Sequence, residues 1–316
     1  MAAEIRDRQA PLAIAELAIS KDSIMSFDIV AQVAIGGLLI GGLYALFAFG
    51  LSLIYGVARI LNFAHGTLLA TAGIAASVLY AALNWHPVVL LVILVPVFFL
   101  FGCGFFLFLL SPLRKRNHFQ TTVGTVLTTV GALIILSDVA AWLAGPRPRN
   151  IPIRSDVFEI GDILIPTSQA YMLAGITLFT IALHFFLQRS WFGRSVRAVT
   201  QDHVGSEICG VRSARVHAMT FGLGSALAAI AGVLYAMTFP IDPYAGFHLT
   251  VKAFTIIVLG GIGNLIGALI AGLLLGLAEA FTAFFWSSEW APAISIVLLL
   301  LILVLFPRGL TSWKRA

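Results

Sequence analysis

Charge is what this 316-residue chain has least of: Asp, Glu, Lys and Arg make up 10% of it, where soluble domains carry about a quarter. Cysteine is nearly absent as well. Cys103 and Cys209 are too few and too far apart for a disulfide framework or a zinc site, and they indicate no redox chemistry. The seven histidines show no ligand spacing, so no metal is expected. No G-x-x-x-x-G-K-[ST] phosphate loop occurs, so the chain cannot hydrolyse ATP itself. No G-x-S-x-G or H-E-x-x-H occurs either, and no catalytic residue is expected. The stretch "GGIGNLIG" lacks the strict glycine spacing of a dinucleotide loop and the soluble βαβ unit around it. Long polar stretches are missing, which leaves no room for a soluble domain. Residues 1–28, with Glu4, Arg6, Asp7, Arg8, Glu16, Lys21 and Asp22, lack the pattern of a signal peptide and read as a polar extension.

What is present is apolar sequence. The chain is 60% hydrophobic with a mean hydropathy of +1.01. Runs near or above the ~18-residue length of a spanning helix recur from Ile29 to Phe306. The expectation is an all-α, polytopic membrane protein: one transmembrane domain over 29–310 and a basic tail at 311–316. Helices are predicted near 29–57, 67–83, 88–110, 121–144, 170–187, 217–239, a short piece at 251–259, one ending near Phe285, and 291–306. That makes eight or nine membrane segments. Gly37 and Gly41, and the stripe Ala268, Gly272, Gly276 and Ala280, have the spacing that lets membrane helices approach closely. Phe98 is expected to face lipid.

The net charge of +5 does not indicate nucleic acid, because the basic residues sit at helix ends rather than along one face. Arg114, Lys115 and Arg116, the five arginines of the 188–216 connection, and the tail with Arg308, Lys314 and Arg315 fall on one face. The positive-inside rule makes that face cytoplasmic. Arg147, Arg149 and Arg154 on the other face depart from the rule, and the side of the N-terminus stays open.

Two polar breaks interrupt apolar helix: "RILNFAHG", from Arg59, and "LGGIGN", from Leu259. Non-helical backbone at membrane depth survives where it is buried in protein or lines a wet cavity. Paired breaks in two halves of a transporter point to the substrate route. Asn62, Phe63, His65, Gly66, Gly260, Gly261, Gly263 and Asn264 are therefore the candidate path residues, with an interfacial turn capped by Asn62 as the alternative for the first break. Glu279 is a functional candidate inside an apolar helix, or an acid near the helix end that snorkels to the interface. Between Trp191 and Phe221, "RSVRAVTQD" has helical spacing and Gly205 and Gly210 should break it. Val196, Val199, Val204, Ile208, Cys209 and Val211 are more apolar than a linker needs, which suggests docking onto another protein; a solvated basic loop is the alternative.

"LNFAHG", "GRSVRAVTQD…SEICGV…ARVHAMTFGLGSALAAIAGVL", "YAGFHLTVKAFTIIVLGGIGNLIGALIAGLLLGLAEA" and "LLLLILVLFPRGL" occur in one order. In them, residues 33–310 closely resemble the LivH-type permease subunits of branched-chain amino-acid ABC transporters. The resemblance implies a type II ABC importer-like fold in a bacterial inner membrane. It also implies a small-molecule substrate, a second LivM-like permease subunit, two cytoplasmic ATPases that bind the ATP, and a periplasmic substrate-binding protein; the chain itself needs no cofactor. The family's coupling loop falls on 189–216, at Gly193, Arg194, Arg197, Gln201, Asp202, Glu207 and Gly210. The family also includes permeases for urea, amides and aromatic or other carboxylates. Two further classes fit less well: an ion-driven carrier, whose relay could use only His65, Asp138 and Glu279, and an intramembrane enzyme.

Overall fold

The computed structural model describes residues 27–115, 118–153, 156–160 and 163–305. The polar extension, but for its last two residues, and the basic tail lie outside these. Eleven helices form among the described residues: α1 Phe27–Ala58, α2 His65–Leu83, α3 Pro87–Gly104, α4 His118–Ala144, α5 Thr167–Arg189, α6 Trp191–Gln201, α7 His203–Ile208, α8 Ser213–Thr238, α9 Gly246–Gly260, α10 Leu265–Phe285 and α11 Ala291–Leu305. α3 continues through a π-helical turn, Phe105–Leu110, and a 3-10 turn, Ser111–Lys115. Seven helices are long and apolar enough to cross a membrane, and α9 and α11 are shorter apolar helices. With those two, the segments match the expected eight or nine.

The sequence reading missed a hairpin. β1 (Val157–Ile160) pairs antiparallel with β2 (Ile163–Pro166), Glu159 opposite Leu164. Alternating β-branched and apolar residues favour strands here, but the flanking charges made the segment read as a plain polar loop. The Gln32 side chain fixes it to the start of α1, donating to the Leu164 carbonyl at 2.7 Å and accepting the Leu164 N–H at 2.8 Å.

That contact sets the topology. α1 starts on the hairpin side and ends beside α6, where Leu53 and Val57 pack with Val199 and Val216. The 189–212 connection therefore lies on the opposite side from the hairpin. Counting α9 as a descent, nine segments carry the chain from the hairpin side at residue 27 to the loop side at residue 305. Exposed Trp85, Trp142, Tyr171, Trp286 and Trp290 ring the hairpin-side ends of the helices, the place of an interfacial aromatic belt.

α1 is the axis, 89% buried over its most apolar window, while α5 on the periphery is 17% buried. Lipid offers no hydrophobic drive between helices, so close packing of small residues must hold them. The two predicted stripes meet each other. A Cβ on Gly41 would stand 2.7 Å from Leu273 Cα, and one on Gly276 would stand 2.4 Å from Gly41 Cα. α8 uses Gly222 against Phe99 and Cys103 of α3, and Gly224 against Ile54 and Gly50 of α1. Two expectations need correction. Phe98 is buried in the core rather than lipid-facing. Gly205 lies inside α7, and the break between α6 and α7 falls at Asp202, whose carboxylate caps α7 by accepting from the Val204 and Gly205 N–H groups.

Candidate translocation site and coupling loop

The first break begins where α1 ends at Arg59, in the left-handed region at φ 56°. Asn62 then folds an Asx turn, its Oδ1 accepting the Ala64 N–H at 3.1 Å, so it shapes the turn and does not cap α2 as the alternative reading had it. Asn62 and His65 are buried, and a His65 ring nitrogen hydrogen-bonds the Phe47 carbonyl of α1 at 3.0 Å. Gly66 is buried against α9. Its N–H donates to the Thr250 hydroxyl at 2.8 Å, which also lies 3.0 Å from the Phe63 carbonyl. Phe63 is half-buried.

The second break ends α9 and starts α10. Gly260 and Gly261 are buried, Ile262 and Gly263 are exposed, and Asn264 is half-buried. Gly261 and Gly263 have φ of 87° and 77°, values that side chains resist. Asn264 caps α10, its Oδ1 accepting the Gly267 N–H at 3.0 Å. Gly263 closes onto α1: its N–H donates to the Ser52 hydroxyl at 3.2 Å, and it packs against Gly56. The first break is thus tied to α1 through Phe47 and the second through Ser52 and Gly56 in its last two turns, and α9 runs from one break to the other. A separate cleft of about 950 Å³ opens on the hairpin side, with Tyr80, Trp85, His86 and Gln169 in its wall and none of the break residues.

Glu279 does not snorkel. It is 7% exposed and pairs with Lys252 of α9, Nζ to Oε2 3.0 Å. Its other oxygen accepts from the Ser295 hydroxyl of α11 at 2.6 Å. Lys252 was passed over in the sequence reading because it stands alone in a short apolar piece; a lone lysine in such a piece is itself the signal for a buried partner. The three relay candidates do not converge: His65 bonds Phe47, Glu279 pairs with Lys252, and exposed Asp138 faces Tyr244.

The 189–216 connection is a folded elbow rather than a flexible loop. Ser190 caps α6 through the Gly193 N–H at 3.0 Å. Arg197 caps the end of α5, its guanidinium donating to the Leu187 and Gln188 carbonyls at 2.6 and 3.0 Å. Arg194 stacks over the Trp191 ring at 3.9 Å. Glu207 accepts from the Ser213 hydroxyl, and Gly210 turns the chain at φ 85°. Gln201 is exposed. Of the seven residues assigned to the loop, Gly193, Arg194, Arg197, Asp202, Glu207 and Gly210 have internal structural roles. Val204, 67% exposed, and Ile208, 82% exposed, stand outward on α7 with exposed Cys209 after them, and Trp191 stands outward on α6 under Arg194.

Residues 33–305 match the family model described as the permease component of branched-chain amino acid transport systems. The chain belongs to that family. It is 32% identical over 294 residues to the high-affinity branched-chain amino acid permease LivH of Salmonella typhimurium, covering 88% of this chain and 94% of the relative. BraD of Pseudomonas aeruginosa, a permease of the same description, gives the same identity and coverage. The probable LivH of Methanocaldococcus jannaschii is 25% identical, over 89% of this chain and 92% of the relative. Among solved structures, PsaBC from Streptococcus pneumoniae in complex with Fab aligns with a TM-score of 0.48 at 11% identity, covering 95% of this chain and 100% of that one. Family membership and the seven apolar spans make the chain a multi-pass inner-membrane permease subunit.

Proposed function

We propose that this permease subunit forms half of the path by which an ATP-driven importer carries branched-chain and other hydrophobic amino acids. A second, related permease supplies the other half, two cytoplasmic ATPases supply the work, and a periplasmic binding protein delivers the cargo. The observation that carries the reading is the elbow: a capped, internally braced pair of helices that holds Val204 and Ile208 outward on a chain without a phosphate loop. Exposed aliphatic residues on a rigid support suit a protein partner. Arg194, on the Trp191 ring, and Gln201 are exposed on α6, and Gly193, Arg197, Asp202, Glu207 and Gly210 keep the elbow in shape.

Phe63, Ile262, Gly263 and Asn264 line the path, since these parts of the two breaks reach the surface of the chain where a second permease would face them. Buried Asn62, His65, Gly66, Gly260 and Gly261 hold the breaks in shape from inside. The chain binds no ATP of its own, and specificity rests mainly with the binding protein. The test is reconstitution. The chain alone should hydrolyse no ATP; with its cognate ATPases, partner permease and binding protein it should import leucine, isoleucine and valine only when ATP is supplied. Uptake of urea or aromatic acids in place of leucine would move the cargo within the family, and transport by the chain alone would overturn the reading.

A further inference from the structure

The charged pair Lys252–Glu279 has no part in the path or the elbow, yet it is the one buried ion pair among the described residues. Ionisable residues at such depth are rare and survive where they are paired. Here the pairing is complete. Lys252 Nζ meets Glu279 Oε2 at 3.0 Å and lies 4.0 Å from the centre of the Tyr44 ring. Glu279 Oε1 takes the Ser295 hydroxyl at 2.6 Å, and the Thr255 hydroxyl lies 3.3 Å from the Ser295 carbonyl. One cluster thereby joins α9 to α1, α10 and α11.

The helix it holds is too short to anchor itself at both membrane faces. α9 has 15 residues, about 22 Å at 1.5 Å per residue, against a hydrocarbon core of ~30 Å. It cannot be fixed by anchors at both membrane faces. It also hangs between two non-helical segments: a turn before Gly246, and the glycines at 261 and 263 with positive φ after Gly260. Its apolar packing is extensive, with Leu249, Ala253, Ile256 and Ile257 in the core, but apolar contacts have no fixed partner atom and yield by degrees when helices shift. A salt bridge in a low-dielectric interior is different: it is either made or broken, with an unpaired charge left behind when broken. Its position on α9 lies two residues from Thr250, which holds the first break through Gly66.

We propose that Lys252 and Glu279, with Tyr44 and Ser295, are positioning residues for transport: a charged joint that fixes α9 in register, so that both breaks move together when the ATPases close. The proposal rests on the transport reading above. The mere neutralisation of two buried charges is the competing account, and under it any uncharged pair of similar volume serves as well, since buried ion pairs are often replaced by apolar residues without loss of stability.

The experiment uses the full complex in proteoliposomes and reads three quantities: complex yield, ATP hydrolysis, and leucine taken up per ATP hydrolysed. Lys252→Met with Glu279→Leu should assemble and hydrolyse ATP within about twofold of wild type, while uptake per ATP falls roughly tenfold, because removing both charges spares folding but loses register. Lys252→Arg, which keeps the charge and its stacking on Tyr44, should recover most of the uptake. Tyr44→Phe, which keeps the ring over Lys252 but removes the hydroxyl that reaches Glu279, should lose about twofold, and Tyr44→Leu, which removes both, should lose several-fold. Wild-type uptake per ATP in the Met/Leu pair overturns the joint. If that pair fails to assemble, Tyr44 decides: wild-type uptake per ATP in its Leu variant overturns the joint as well. A wild-type complex that assembles but imports no amino acid defeats the transport reading instead.

Discussion

Gly193 lies so close under Leu187 that a Cβ on it would stand 1.8 Å from the Leu187 carbonyl oxygen. The same oxygen accepts from Arg197, so one carbonyl at the end of α5 sets the angle of the elbow. Gly193→Val should open that angle and reduce co-purification with the ATPases roughly tenfold, since the clash is with backbone and nothing flexible can yield. Gly210 has open space around it and only a φ of 85° to satisfy. Gly210→Ala should cost about 1–2 kcal/mol of local strain and keep most of the association. Equal loss in both variants would show that the elbow angle is not what the ATPases read.

Ile208→Asp should leave membrane insertion and thermal stability unchanged, because the side chain is 82% exposed and contributes little to the fold. It should abolish ATPase co-purification, since a charge at the centre of an apolar contact is desolvated without a partner. Val204→Asp should act in the same way and less strongly. Normal complex formation by both variants would free α7 of any docking role.

Gly41→Leu forces a side chain into α10, where even a Cβ would meet backbone atoms of Gly272 and Leu273 at 2.7–3.0 Å. It should destabilise the membrane domain by more than the ~1–3 kcal/mol usual for overpacking, because two backbones must part. Gly36→Leu, one residue before the stripe and with nothing within 4 Å, is the control and should fold normally. Detergent melting curves of the two variants check this.

Thiol labelling separates the parts of the breaks. Cysteine at Ile262 or Gly263 should react with small water-soluble reagents, at a rate that changes when nucleotide is trapped on the ATPases. Cysteine at Asn62 or His65 should stay unreactive in every state, because both positions are sealed by α1 and by the break itself. Rapid labelling at 62 and 65 with inert cysteines at 262 and 263 would put the path on the opposite face of α9.

The sequence by itself determined the class of fold, a count of eight or nine membrane segments, the two breaks and the spacing of the two small-residue stripes. Each of these is a one-dimensional property: apolar run length against bilayer thickness, small residues every fourth position, or glycine and asparagine where a helix must end. It also determined what the chain does not contain, a phosphate loop above all. Only the tertiary structure decided what each polar residue does. Lys252 and Glu279 are 27 residues apart, and nothing in the pattern between them shows that they pair. Arg197 looks like any basic loop residue until the end of α5 lies beneath it. Asn62 and His65 read as residues that face a pore, and folding turned them inward, where the His65 ring finds the Phe47 carbonyl and Asn62 finds the Ala64 N–H in place of water. A residue's type and spacing set which element it joins; its partner is set by which other elements pack there, and that is decided only once the chain has folded.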